Sequence, residues 1–354
     1  MSDSDSVDTD VEETVCERLE NGDGKAPDDI EFDDVVVDIS LHPSKDVIAA
    51  GTMDGDIFVY SYSEEGPNHE LITLNHHKKC CRALSFSHDG NLLFSTSRDK
   101  SIKIVDMNAG SLSHKIIKAH ESPIYCLLPI DDYLLATGDD NGNFKVWDFR
   151  RKTAIMENKQ CEEYISDMVI DEQRRIIAAT SGEGTLTAFN IRARRMELQS
   201  ELFDSEFLSA AVVKNGRKVL VGTGEGAINI FNWGEWGNIS DRFPGHPESV
   251  DRIIAINNNI VCTGSSDGKI RAVHMFPHRF LGIVGDHEDF PIESLSVSNN
   301  RKYLASCSHD QTVKFWNISS LENVLEHPNE KGKRRKTDYL SSSKRTDFFA
   351  DLVE

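Results

Sequence analysis

The sequence has no long hydrophobic run: nowhere in its 354 residues do 18 apolar side chains follow one another, so no helix is expected to cross a bilayer. Its first ten residues, MSDSDSVDTD, are acidic where a secretory leader is basic and then apolar. The expectation is a soluble chain that is not exported. Cysteine is sparse too. The seven residues Cys16, Cys80, Cys81, Cys126, Cys161, Cys262 and Cys307 are odd in number and scattered through apolar segments, which argues against a disulfide-stapled domain and for a reducing compartment.

Several chemical signatures are also missing. No Ser, His and Asp set stands at nucleophile spacing, so no enzyme activity, cofactor or small-molecule substrate is expected. His76, His77, Cys80 and Cys81 are the densest potential metal ligands, but no second pair lies at suitable spacing and no metal is expected. The run Gly222-Thr223-Gly224-Glu225-Gly226 resembles a phosphate loop only superficially, because such loops open a helix and this one lies inside a hairpin pattern.

Charge is plentiful and uneven. The formal net charge is −20, and residues 1 to 34, with 14 acids against 2 bases, supply −12 of it. Residues 331 to 345, KGKRRKTDYLSSSKR, carry 7 bases and one acid, Asp338. Neither end has the apolar periodicity that repays the entropy of folding, so both read as disordered tails. Residues 1–29 are assigned to the acidic tail, 30–320 to the folded domain and 321–354 to the basic tail. Lys331, Lys333, Arg334, Arg335 and Lys336 suit a nuclear import signal; they also suit an arm that contacts RNA phosphates, or a solvated tail. Elsewhere, no basic stripe stands out in the sequence.

What dominates the chain is repetition. Seven 16-residue blocks stack without a gap, beginning at Val47, Leu92, Leu134, Ile176, Lys218, Ile260 and Tyr303, at intervals of 45, 42, 42, 42, 42 and 43 residues. Each reads as strand, tight turn, strand. The turns carry Asp54-Gly55, Asn141-Gly142, Glu183-Gly184, Glu225-Gly226 and Asp267-Gly268, while Asp99-Lys100 and Asp310-Gln311 lack the glycine. A further alternating segment precedes each block, giving about four strands per period, the content of one propeller blade. Such a sheet cannot bury both faces alone, whereas seven around an axis can. Ile30 to Asp34, IEFDD, is expected to add the outer strand of the seventh blade and close the ring.

The pattern resembles WD repeats: a Gly-His or similar pair, then Ser or Thr, then Asp in the turn, then Trp-Asp. The resemblance implies an all-β, seven-bladed WD-repeat β-propeller in which these four side chains form a hydrogen-bonded relay. It is fullest in the seventh repeat, with His287, Ser306, Asp310 and Trp316, and in the third, with His120, Thr137, Asn141 and Trp147. The second has His77, Ser95 and Asp99 but Val105, and the sixth His246, Thr263 and Asp267 but Val273. The fourth and fifth place Ala179 and Val221 at the hydroxyl position and lack the His, so those blades are expected to be the softest.

Segments such as DGDIFVYSYS, EEYISDMVID, FNWGEWGNISDRF and ASCSHDQTVKFW resemble one WD-repeat subfamily over roughly residues 30 to 320. That resemblance implies a non-enzymatic scaffold of the nucleus and nucleolus, partly cytoplasmic, binding ribosome-assembly factors in ribosomal RNA production and ribosome biogenesis. Family alignment also places partner-binding positions at one mouth of the central channel. Arg82, Arg98, Tyr125 and Asp140 fall on neighbouring blades, with Asp251, Glu293 and His309 on the far side, so the rim is expected to be electrically two-sided. Trp147, Asp148 and Arg150 form a WD-x-R ending. In WD-repeat substrate receptors it resembles the box that docks on the adaptor of a cullin-based ubiquitin ligase; the alternative is a solvated loop with Arg151 and Lys152.

Overall fold

Each 16-residue block folds into two antiparallel strands joined by a short turn. In the third block Leu134–Asp139 pairs with Asn143–Asp148, Leu135 facing Trp147 and Thr137 facing Lys145. Small residues fill the centre of the first strand and β-branched or aromatic residues the second. The turn needs a left-handed residue, and Gly142 supplies it with φ of 74°. In the two turns without glycine, Lys100 and Gln311 take the same conformation, with φ of 68° and 63°.

The computed structural model describes residues 25–323. Within them the strands group into seven antiparallel sheets of four, each ordered a-b-c-d from the axis outward. The first sheet, for example, is Val36–Leu41, Val47–Thr52, Ile57–Ser61 and His69–Leu74. The seventh is Ile292–Val297, Tyr303–Ser308, Thr312–Asn317 and, from the other end of the chain, Ile30–Glu31. Ile30 faces Val313 and Glu31 faces Thr312, so the N-terminal segment clasps the last blade as its sequence suggested. A short helix, Ser319–Asn323, follows the last repeat. The acidic residues 1–24 and the basic run Lys331, Lys333, Arg334, Arg335 and Lys336 lie outside the described residues.

The core is a ring. Each buried apolar cluster joins two adjacent blades, and the one holding Ile30, Val36, Ile39, Cys307, Val313 and Phe315 joins the first blade to the seventh. Phe144 of blade 3 stacks on Phe189 of blade 4 with ring centres 4.1 Å apart and planes 2° from parallel. Contact between blades is close enough that a Cβ built on Gly138 would sit 2.6 Å from Cβ of Ile165 on the next inner strand.

The relay residues meet in two blades. His287 places Nδ1 2.6 Å from Asp310 and Nε2 2.7 Å from the hydroxyl of Ser306, which accepts the indole N–H of Trp316 at 2.7 Å. In blade 3 the hydroxyl of Thr137 takes both His120 Nε2, at 2.7 Å, and the Trp147 indole, at 2.9 Å. The acid there is not from the turn position. His120 Nδ1 lies 2.9 Å from Asp139, two residues before Asn141, because Asn141 brings no negative charge and Asp139 is already buried beside the ring. Blade 2 keeps His77 with Ser95 at 2.9 Å and, more distantly, Asp99 at 3.4 Å. Blade 6 departs further. His246 keeps Thr263 at 3.0 Å, but Asp267 turns to the guanidinium of Arg271 at 2.6 Å and leaves the buried Nδ1 of His246 without a partner. Blades 4 and 5 put Cys161 and Phe203 in the histidine place. Cys161 Sγ lies 3.7 Å from the Thr187 hydroxyl, and Phe203 packs 5.3 Å from Phe207.

Candidate functional site

Inner strands leave a central channel enclosing about 650 Å³. One local irregularity sets its mouth. In every innermost strand the ladder skips one residue after the first pair, as between Ile124 and Cys126, or Val250 and Arg252. The extra residue of such a bulge leaves the regular alternation and its side chain is re-aimed. Those extra residues are Val37, Arg82, Tyr125, Ser166, Leu208, Asp251 and Glu293, and all seven line the channel. Four of the positions taken from family alignment, Arg82, Tyr125, Asp251 and Glu293, thus share one backbone cause, whereas Arg98, Asp140 and His309 lie in the turns between the second and third strands.

Charge around this mouth is partly compensated. Arg82 pairs with Asp140 of the next blade and lies with its guanidinium 5.1 Å from the centre of the Tyr125 ring. Tyr125 leans on Tyr164, 4.8 Å away, whose hydroxyl donates to Glu206 at 3.1 Å. Arg98 is exposed and forms no ion pair among the described residues, so it is an uncompensated cation on that side. Opposite, Asp251 accepts a hydrogen bond from Ser266 at 2.7 Å and Glu293 sits 2.6 Å from His309. Burial raises the Asp251 and Glu293 carboxyls above their ordinary range, although Ser266 and His309 oppose it.

Deeper in the channel lies a charged cluster that the sequence reading passed over. Arg252 of blade 6 reaches Asp38 of blade 1 at 3.5 Å and Asp167 of blade 4 at 3.6 Å. Ser294 donates to Asp38 at 2.6 Å, and the amides of Leu84 and Ala210 donate to Asp38 and Asp167 at 2.7 and 3.0 Å. Burial raises both carboxyls, and Arg252 opposes it; burial also acts against the guanidinium, which the two acids more than offset. Each of these residues stands one place after the bulged residue. The available signal was three charged side chains in strands otherwise filled by apolar and small residues.

The other candidates fall elsewhere. Trp147 is buried within its relay, 5% exposed. Asp148 grips Arg150 through Nε at 2.9 Å and Nη2 at 2.8 Å, and the guanidinium lies 4.0 Å from the Tyr133 ring centre. Arg150 therefore stands half-exposed at the end of the disc opposite the mouth, in a fixed pose. His77 and Cys81 belong to the relay and to the core, and Gly222 to Gly226 turn within a hairpin. No group of three metal-binding side chains forms among the described residues.

A family model, WDR55, matches residues 27–321, the whole ring with its clasp. The chain belongs to the WDR55 family. WD repeat-containing protein 55 of Homo sapiens is 42% identical over 333 residues, 93% of this chain and 87% of the human one. The Rattus norvegicus protein of that name is 44% identical over 300 residues, 84% of this chain and 78% of its own. A Drosophila willistoni homolog is 38% identical over 335 residues, 93% of this chain and 66% of its own. A propeller of this family is a scaffold for protein interaction, of a kind that is typically not catalytic.

Proposed function

We propose that this chain is a nuclear and nucleolar scaffold that gathers ribosome-assembly proteins during ribosomal RNA production, and that it holds them at the bulged mouth of its channel. The observation that carries this reading is the coincidence of seven bulges with seven channel-lining side chains. Rigid strands present them, and their identities vary from blade to blade without cost to the core. Tyr125 and Arg98 supply anchor types enriched at interfaces, and Asp251 with Glu293 supplies the seat for a basic side chain. Entry to the nucleus would depend on Lys331, Lys333, Arg334, Arg335 and Lys336.

The test is affinity capture from nuclear extract with the full chain and with Asp251→Lys/Glu293→Lys. Assembly factors are expected with the first and depleted with the second at unchanged melting temperature. Equal recovery by both, or none by a well-folded wild type, would remove the proposal. A second reading has one observation in its favour: Asp148 and Tyr133 hold Arg150 half-exposed, the presentation a docking arginine requires. If the chain is a ubiquitin-ligase substrate receptor, Arg150→Ala abolishes adaptor binding and leaves stability untouched.

A further inference from the structure

In each blade the b–c and d–a loops emerge at the mouth end of the disc, and the a–b and c–d loops at the other. The two ends differ sharply in charge. Mouth-end loops carry 19 acids and 5 bases. At the opposite end, four successive loops spanning blades 3 to 5, residues 149–152, 171–175, 191–194 and 214–217, carry nine bases and two acids. One of those acids, Asp171, is occupied in accepting the amides of Arg175 and Ile176 at 2.5 and 2.8 Å. The chain as a whole is acidic, so this arc is local and was invisible in net charge.

The arc is unspent. Arg174, Arg175, Arg192, Arg194 and Arg217 are all exposed, and none forms an ion pair among the described residues. Four of its bases also occupy an unfavourable backbone. Lys152, Arg174, Arg194 and Lys214 have φ of 56°, 53°, 52° and 55°, a region where glycine or asparagine is favoured, so the charged side chain is kept against local preference. Beside them is a cavity of about 410 Å³ whose walls include the acids Asp171 and Glu172 as well as Gln173, Arg175, Asn215 and Trp233. Trp233 is half-buried and meets Trp236 edge-on, ring centres 4.8 Å apart. An indole plane, a guanidinium and the amides of Gln173 and Asn215 line one recess and can stack on a flat base and bond its edges, while the flanking arginines follow a phosphate chain; the Asn190 amide is already bonded to Glu197 and to the backbone of Ala193.

We infer that the blade 3 to blade 5 arc binds single-stranded RNA, with phosphates along the arginines and a base in the Trp233 recess. An acidic peptide would use the arginines but has no need of the indole and amides, which is why RNA is favoured. The inference does not rest on the partner reading of the opposite end, and either can fail alone.

The test uses the full chain and a fluorescein-labelled polyuridine of about 16 nucleotides, followed by anisotropy between about 50 and 200 mM salt. Arg174→Glu/Arg192→Glu/Arg194→Glu/Arg217→Glu is expected to weaken binding at least about tenfold and to reduce the log–log salt slope by about three, four phosphate contacts fewer. Trp233→Ala is expected to weaken binding with the salt slope unchanged. Melting curves establish folding, and Arg192→Gln/Arg194→Gln serves if the fourfold variant is unstable. To separate the tail, the comparison is repeated with Lys331, Lys333, Arg334, Arg335 and Lys336 changed to alanine; the arc effect should persist. The inference is overturned if wild type does not bind the probe, if neutralising the tail alone removes all binding, or if polyglutamate competes as well as unlabelled polyuridine.

Discussion

Arg252 and Asp38 lie 214 residues apart in sequence and 3.5 Å apart across the channel, on blades that are not neighbours. With Asp167 they tie blades 6, 1 and 4 through the middle of the ring. Breaking a buried ion pair by removing one partner leaves an uncompensated charge. Arg252→Met should therefore destabilise the chain by about 3 kcal/mol in urea titration, by analogy with other buried pairs. Adding Asp38→Asn and Asp167→Asn to that variant should recover part of the loss, whereas no recovery would show that the cluster acts by packing alone.

Asp139 and Asn141 offer a sharper contrast. Asp139→Ala leaves the buried His120 Nδ1 and the Asn143 amide without their acceptor and should cost about 3 kcal/mol. Asn141→Ala removes a turn side chain outside the relay and should change stability by less than about 0.5 kcal/mol. Thermal melts of the two single variants decide between them, and equal losses would restore Asn141 to the relay.

Acid should loosen the ring. Burial lowers His246 from 6.5 to about 4, and His77 and His287 are lowered by the same cause. As pH falls below 6.5 the unfolded chain takes up these protons first, so stability declines from there toward pH 4. The relay carboxyls act in the same sense. Burial opposes it, but hydrogen bonds to His77 and His287 hold Asp99 and Asp310 below the ordinary carboxylate range, so their contribution is lost in still stronger acid. His246→Phe, which copies the Phe203 solution of blade 5, should remove up to about 3 kcal/mol of this pH dependence. An unchanged slope of stability against pH between 4 and 6.5 would contradict it.

The clasp can be tested with one residue. Ile30 is 5% exposed and packs in the cluster that closes blade 7 on blade 1. Ile30→Ala should cost about 2 to 5 kcal/mol, the range for truncating a buried isoleucine. Hydrogen exchange should show the loosening first in Thr312–Asn317, the strand it covers.

Much of this fold was legible because its hairpins repeat: apolar runs, small centres and turn glycines recur at near-constant intervals, and closure by Ile30 follows from the lone strand ahead of the first repeat. The misses share a cause. Alternation within a strand predicts which face a side chain takes only while the ladder is regular, and a bulge in each inner strand moves the next residue into the channel. Asp38, Asp167 and Arg252 were hidden in that way. Asp139 was overlooked because the repeat pattern assigns the acid to the turn, whereas the imidazole takes whichever carboxylate its own blade brings within reach. The basic arc escaped because its arginines are far apart in sequence and only the topology of four loops collects them.

Pairing of Ile30–Glu31 with Thr312–Asn317 also orders events in time. During synthesis at about 5 to 20 residues per second, the opening strand waits on the order of tens of seconds for a partner made long after it. Until then the flank of the first blade that will bury Val36 and Ile39 against the seventh stays open to solvent. A nascent chain of six blades is thus a sticky arc, and emergence of the seventh blade is the moment at which it can become a disc.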